Sequence, residues 1–186
     1  EVALFSVNPE RWQEERFGLA LKLVEESCKL SRGLQDKLGG DYFNKIDSSP
    51  VTLADLTVQA LVGIALRRHF PEDSLLGEET TETLNEAVLG LIKAQLEPFH
   101  GEVHSEELIG CFQSAPRNTR RWILDPIDGT KGFLRGDQFA VALAHQNDRV
   151  IEFGLIGCPR LSQDAPEKGE GCIGAAYRGR GAWQKG

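Results

Sequence analysis

The chain has 186 residues, of which 40% are hydrophobic and 26% charged, and 21 Lys and Arg against 28 Asp and Glu leave a net charge of −7. That acidity argues against a nucleic-acid groove or an anionic membrane surface as partner, because both demand a basic face. No apolar run approaches the ~20 residues of a membrane span, so one soluble globular domain with a sizeable core is expected.

There is no methionine, so Glu1 is not a translation start, and a targeting segment already cleaved would leave no trace. The four cysteines, Cys28, Cys111, Cys158 and Cys172, are far apart in the chain and show no Cys-x-x-Cys spacing. They read as small buried hydrophobes of an intracellular reducing compartment rather than as a disulfide framework or a zinc site. Cytoplasm, or an organelle reached with a transit peptide, fits equally.

Residues 9–38 read as a helix, with Phe17, Leu21, Val24 and Cys28 recurring at steps of four, three and four, and Gly39-Gly40 ending it. Thr52 is expected to open a second helix whose apolar stripe is Leu53, Leu56, Ala60, Leu61 and Ile64, stopping before Pro71. Beyond the short apolar piece Ser74-Leu75-Leu76 and Gly77-Glu78-Glu79, two further helices are expected near 82–96 and 105–112. They look peripheral. From Arg120 the pattern changes. Arg121 to Leu124 is a short strand and Asp125 to Lys131 is rich in turn residues. Phe139, Val141 and Leu143 alternate with alanines, an Asn147-Asp148 turn follows, and Val150 to Ile156 returns as a hairpin partner. Cys172 to Tyr177 is one more strand. Helices followed by a run of antiparallel strands favour an α+β layer arrangement over alternating βαβ units.

The densest chemistry lies in Trp122-Ile-Leu-Asp-Pro-Ile-Asp-Gly-Thr-Lys131, where two carboxylates three apart sit at the end of an apolar strand. Such a turn, stiffened by Pro126, can aim Asp125, Asp128 and the Ile127 carbonyl at one hard cation such as Mg²⁺. A surface turn rich in Asp, Pro and Gly is the alternative. Glu78 and Glu79 follow a strand-like piece, and neighbouring side chains there point opposite ways, so one at most faces an ion. Asp55 fits a capping box with Thr52, in which its carboxylate reaches back to the Thr52 backbone N–H. His100 and His104 lack the acid of a His-Glu-x-x-His metal motif and read as surface residues. Phosphate-loop, dinucleotide and nucleophile-elbow motifs are missing.

Three segments in order, Ser49-Pro-Val-Thr-Leu-Ala-Asp55, Gly77-Glu-Glu79 and Trp122-Ile-Leu-Asp-Pro-Ile-Asp-Gly-Thr130, resemble the lithium-sensitive, magnesium-dependent phosphomonoesterases related to inositol monophosphatase. Within that group Lys131-Gly-Phe133 and its continuation to Leu143, Ile156-Gly-Cys-Pro159 and Arg178-Gly-Arg-Gly-Ala-Trp183 look most like the 3′(2′),5′-bisphosphate nucleotidases of sulfur metabolism. Inositol monophosphatases usually carry Thr-Asn-Phe after the Gly-Thr. The resemblance implies a layered α/β sandwich, of which this chain supplies two long helices against an antiparallel sheet.

It also implies that Glu78, Asp125, Asp128 and the Ile127 carbonyl ligate Mg²⁺, two or three ions in the complete enzyme, with Asp125 bridging two of them. Asp55 and Thr130 would together orient and deprotonate the attacking water, Gly129 and Thr130 would meet the phosphate with backbone N–H groups, and Glu79 would stand behind the ligands. The implied reaction releases the 3′-phosphate of 3′-phosphoadenosine 5′-phosphate as AMP and phosphate, with a small nucleotide as the partner. Family members continue into a second α/β half whose Trp-Asp-x-x-Ala-Gly segment completes the metal site, and these 186 residues contain no Trp-Asp pair. The chain is thus expected to be an N-terminal metal-binding half. If Gly186 is the true end, the open apolar face needs a covering partner, and a non-catalytic scaffold or binding subunit becomes the competing reading. An inositol-phosphate phosphatase is a third.

Overall fold

A computed structural model describes residues 15–37, 50–113, 119–161 and 171–185. Its helices are α1 (Glu15–Gln35), α2 (Pro50–His69), α3 (Glu86–His100), α4 (Ser105–Gly110) and α5 (Thr130–Arg135). The strands are β1 (Ser74–Leu76), β2 (Arg120–Asp128), β3 (Ala140–Asn147), β4 (Val150–Cys158), β5 (Cys172–Tyr177) and β6 (Gly181–Lys185). The six strands form one sheet in chain order, with α1 over β3 and β4 and α2 over β2. The class is α+β, as the pattern predicts. The expectation of a purely antiparallel sheet is corrected at one edge, where β1 runs parallel to β2 with Ser74 beside Arg121 and Leu76 beside Ile123. The connection through α3 and α4 is long enough to bring the chain back in the same direction, which a hairpin cannot do.

α1 buries Phe17, Ala20, Leu23, Val24, Ser27, Leu30, Ser31 and Leu34, whereas Leu21 and Cys28 of the expected stripe are only half-buried at its rim. Of the two buried serines, Ser31 satisfies its hydroxyl locally by donating to the Ser27 carbonyl at 2.6 Å, while Cys28 and Val24 lie where helix and sheet approach closely. Gly157 of β4 permits that approach: a Cβ there would overlap the Cys28 sulfur and stand 2.7 Å from Val24 Cγ1. The Gly39-Gly40 stop lies outside the described residues. All four cysteines carry free thiols, Cys111 and Cys172 buried and the other two half-buried.

Every residue of α2 from 53 to 66 is buried, so the stripe read from the sequence is too narrow. The helix is enclosed by α1, α3, α4, α5 and β2, and a helix apolar all round belongs in such a place. It begins at Pro50 rather than Thr52, in keeping with the preference of proline for the first turn. Thr52 therefore stands inside the helix and cannot be the N-cap of a capping box with Asp55.

The helices expected to be peripheral complete the core instead, through Val88, Ile92 and Leu96 of α3 and Leu108 of α4. α3 starts at 86, later than the pattern suggested, because Thr81–Thr83 form a 3₁₀ turn and Asn85 caps the helix by accepting from the Val88 N–H at 2.9 Å. His104 is exposed, but half-buried His100 lies 2.8 Å through Nε2 from the Leu61 carbonyl. Val141 and Leu143 of β3 are buried, as their alternation with alanines predicts, together with Phe139 just before the strand, and His145 continues that row. The hairpin turn falls on Asp148 and Arg149, one residue later than expected. Both have positive φ, 47° and 69°, which a two-residue loop needs to match the twist of its strands. β6 was not anticipated. Its one inward residue, Trp183, packs on Phe17.

A charged cluster gathers around the Asp73 carboxylate at the β1 edge of the sheet. The Asp73 carboxylate, with no exposed side-chain surface, accepts from Arg16 Nε at 2.9 Å and Trp122 Nε1 at 3.1 Å and pairs with Arg120 Nε at 3.1 Å. Burial alone would raise this carboxyl, but the Arg16 and Trp122 hydrogen bonds and the nearby charges hold it below the usual range. His145 stands alongside, its Nδ1 donating to Glu152 at 2.9 Å, and burial pushes its pKa down. On the face opposite the helices, Ala142, Ala144, Gly154, Ile156 and Ala182 line a shallow cavity of about 580 Å³ that reaches Asp125. Among the described residues no helix is long and apolar enough to cross a membrane.

Candidate metal and phosphate site

β2 does not stop at Leu124. It continues through Asp128, and its pairing with β3 shifts between Asp125, opposite Ala142, and Asp128, opposite Ala140. Three steps along β2 answer two along β3, so the strand carries one extra residue, and such a bulge bends a strand and re-aims its side chains. Pro126, which has no N–H for a ladder, sits where that costs least. The Asp125 carboxylate accepts from the Ile127 backbone N–H, the local turn by which an Asp folds onto a residue two positions on. The other oxygen, Oδ1, is buried with no hydrogen-bond partner. The buried Ile127 side chain anchors the bulge in the core, while Asp128 is left exposed.

Gly129 then takes a left-handed conformation, φ 93°, and α5 opens at exposed Thr130, with the Gly129 carbonyl accepting from Gly132 and Phe133 at 2.8 and 3.0 Å. The expected short helix is present, and the N–H groups of Thr130 and Lys131 have no partners within it. No hydrogen bond joins Thr130 to Asp55 among the described residues.

From the other side, α2 contributes Asp55, 5% exposed, and the segment after β1 contributes exposed Glu78 and half-buried Glu79. The Asp55 carboxyl is pushed up to about 8, first by burial and then by Glu79, Glu78 and Asp125. Burial, Glu78 and Asp128 raise Asp125, and burial and Glu78 raise Glu79. Asp55 thus lies in the field of Glu79, Glu78 and Asp125, and Asp125 in that of Glu78 and Asp128, although α2, the post-β1 segment and β2 are distant in the chain. Such mutual repulsion is relieved by a cation. No three His, Cys, Asp or Glu side chains among the described residues already stand close enough to grip one ion. The set nevertheless fits a hard cation: all its donors are oxygens, and the unpartnered buried Asp125 Oδ1 is an acceptor with no donor.

Two buried glutamines that the sequence reading passed over support this region. Gln35 of α1 donates through Nε2 to the Phe133 and Asp137 carbonyls at 3.0 and 2.9 Å, closing the far end of α5. Gln59 of α2 binds the backbone of Glu79. Gln59 had a signal in the sequence, a polar residue one turn after Asp55 on an otherwise apolar helix. Gln35 had none, since a glutamine near a helix end usually faces solvent.

A sequence profile described as the Inositol monophosphatase family matches residues 12–186. Among curated proteins, the chain is 37% identical to a 3′(2′),5′-bisphosphate nucleotidase 2 of Candida albicans, over 88% of this chain and 52% of that protein. It is 34% identical to a 3′(2′),5′-bisphosphate nucleotidase of Dictyostelium discoideum, over 89% and 53%, and 32% identical to the 3′,5′-bisphosphate nucleotidase AHL of Arabidopsis thaliana, over 92% and 58%. The chain spans about half the length of the curated relatives it matches. Among solved structures, Mycobacterium tuberculosis SuhB aligns with a TM-score of 0.53 at 22% identity, over 94% of this chain and 47% of that one. The inositol monophosphatase-II of Staphylococcus aureus aligns with a TM-score of 0.56 at 17% identity, over 92% and 48%. These structural likenesses speak for the fold alone.

Proposed function

The chain belongs to the inositol monophosphatase family, and on that premise we propose that it is the metal-binding part of a Mg²⁺-dependent 3′(2′),5′-bisphosphate nucleotidase. The substrate is a 3′-phosphorylated nucleotide such as 3′-phosphoadenosine 5′-phosphate, cleaved to AMP and phosphate. The observation that carries the reading is the electrostatic coupling of Asp55 to Glu79, Glu78 and Asp125, and of Asp125 to Glu78 and Asp128, beside a buried Asp125 oxygen that has no hydrogen-bond partner. Identity of 32–37% to proteins named as such nucleotidases supports the choice of substrate.

Glu78, Asp125, Asp128 and the Ile127 carbonyl would hold the metal, with Glu79 behind them. Bound there, Mg²⁺ supplies charge that clamps phosphoryl oxygens, lowers the pKa of a water and offsets the charge of the departing 3′-oxygen. Asp55 and Thr130 orient the attacking water, and the ionised Asp55 carboxylate takes its proton. The Gly129 and Thr130 N–H groups receive the phosphate at the start of α5. Water adds to phosphorus as the bond to the ribose 3′-oxygen breaks, and that oxygen picks up a proton from solvent to leave as the 3′-hydroxyl, so no covalent enzyme intermediate forms. The test is phosphate release by the full-length protein from 3′-phosphoadenosine 5′-phosphate and from inositol 1-phosphate, with and without Mg²⁺. Mg²⁺-dependent release favouring the nucleotide supports the reading. Preference for the inositol phosphate, or no release from either, overturns it.

A further inference from the structure

Gln59 presents an arrangement that simple core packing does not require. It is 1% exposed, and its side-chain amide both accepts from the Glu79 N–H at 2.9 Å and donates to the Glu79 carbonyl at 2.9 Å. One side chain thereby offers Glu79 what a neighbouring strand would. It does so where the ladder of β1 has just ended, since the last pairing is Leu76 with Ile123. The same amide nitrogen reaches the Cys111 carbonyl at 3.3 Å, at the end of α4, so the amide is itself braced against rotation. Gly77 completes the fit. A Cβ there would collide with the whole Gln59 amide, standing 2.8 Å from Nε2 and closer still to the other two atoms.

Asp55 lies four residues before Gln59 on α2, on the same helix face and about 6 Å along the axis. We propose that Gln59 is a positioning residue that sets Glu78 and Glu79 at a fixed distance from Asp55 and so pre-forms one wall of the metal site. The need for such a clamp is physical. The post-β1 segment brings two carboxylates toward two more, and their repulsion would drive this unladdered stretch outward unless backbone bonds restrain it. A neutral amide restrains it without adding charge that would compete for the cation. The inference rests on the proposed reading of Glu78 as a metal ligand.

The test uses the full-length protein and Mg²⁺ or Mn²⁺ alone, by calorimetric titration, with hydrogen exchange of residues 77–80 and thermal unfolding recorded on the same samples. Gln59→Leu keeps the packing volume and removes the clamp. Gly77→Ala displaces the amide while leaving Gln59 in place. Loss of an outer partner that orients metal ligands costs about 10- to 100-fold in affinity, and both variants are expected to show a loss in that range. Faster exchange at Glu79 should accompany it, with a nucleotide KM that changes less than the metal affinity. Metal binding equal to wild type in both folded variants overturns the role of Gln59. If Glu78→Gln and Asp125→Asn also bind metal like wild type, the metal-site reading itself has failed, so the two failures are separable.

Discussion

Replacing Asp73 by Asn tests whether the charge cluster around it holds α1 to the edge of the sheet. The side chain keeps its shape and one oxygen, which still accepts from Trp122 Nε1 and Arg16 Nε where Oδ2 does now, but both arginines lose the carboxylate charge, and Arg120 Nε, 3.1 Å from Oδ1, meets an amide NH2 instead. Each hydrogen bond to a charged group contributes roughly 1.5–3 kcal/mol, so two are nominally worth about 3–6 kcal/mol. Both arginines can turn to water, being 29% and 44% exposed, and that lowers the net loss to about 3 kcal/mol. For a protein of this size that is a fall in Tm of roughly 6–12 °C, and proportionately less in a longer chain. The assay is thermal unfolding of the full-length protein followed by circular dichroism, repeated from pH 8 to pH 3. The folded Asp73 carboxyl lies below its unfolded value of about 3.9. Its stabilisation is therefore complete above that pH and is lost as pH falls through the folded value, so the gap between wild type and variant is wide at neutral pH and closes below about pH 4. A fall in Tm under about 2 °C at pH 7, or a gap still full at pH 3, refutes the assignment.

His145 carries the companion pH effect. Burial lowers its pKa, so between about 6.5 and its folded value the unfolded chain takes a proton that the folded one refuses. Stability should fall as pH drops below about 6.5, and His145→Gln should flatten that slope in melts from pH 8 to pH 5. Gly157→Ala should destabilise by about 1–3 kcal/mol, read by urea unfolding, because its methyl overlaps Cys28 and crowds Val24. Combining it with Cys28→Ala should restore part of the loss, and strict additivity would argue against the contact. Asp125→Asn should abolish phosphate release and raise the metal-free Tm, since it removes a half-buried carboxylate pressed by Glu78 and Asp128; retained turnover removes Asp125 from the site. Thr130→Ala should lower kcat well beyond any change in Mg²⁺ affinity, and an equal loss of both would place Thr130 among the metal supports instead.

The candidate site was legible to an unusual degree because its acids sit in local patterns, Gly77-Glu-Glu79 and Asp125-Pro-Ile-Asp128, that mark strand ends. Asp55 was ambiguous. A capping box and a catalytic base look alike in four residues, and only the start of α2 at Pro50 removes the first option. The hairpin of β3 and β4 was readable because one buried face imposes period two. The bulges were not, since an extra residue in β2 between Asp125 and Asp128, or in β4 at Glu152, shows itself only against its partner strand.

By itself the sequence determined the α+β class, the helix-then-strand order and the acids that carry the proposed chemistry, because periodicity and turn chemistry are local and act wherever the chain goes. Tertiary structure alone decided the rest. It made β1 parallel, drew α3 and α4 into the core, and buried the Asp73 and His145 cluster. It also set Gln59 of one helix against the backbone of a segment twenty positions on. Each of these depends on which surfaces meet, and hydrogen bonds or charges between residues distant in the chain have no period for a sequence to display.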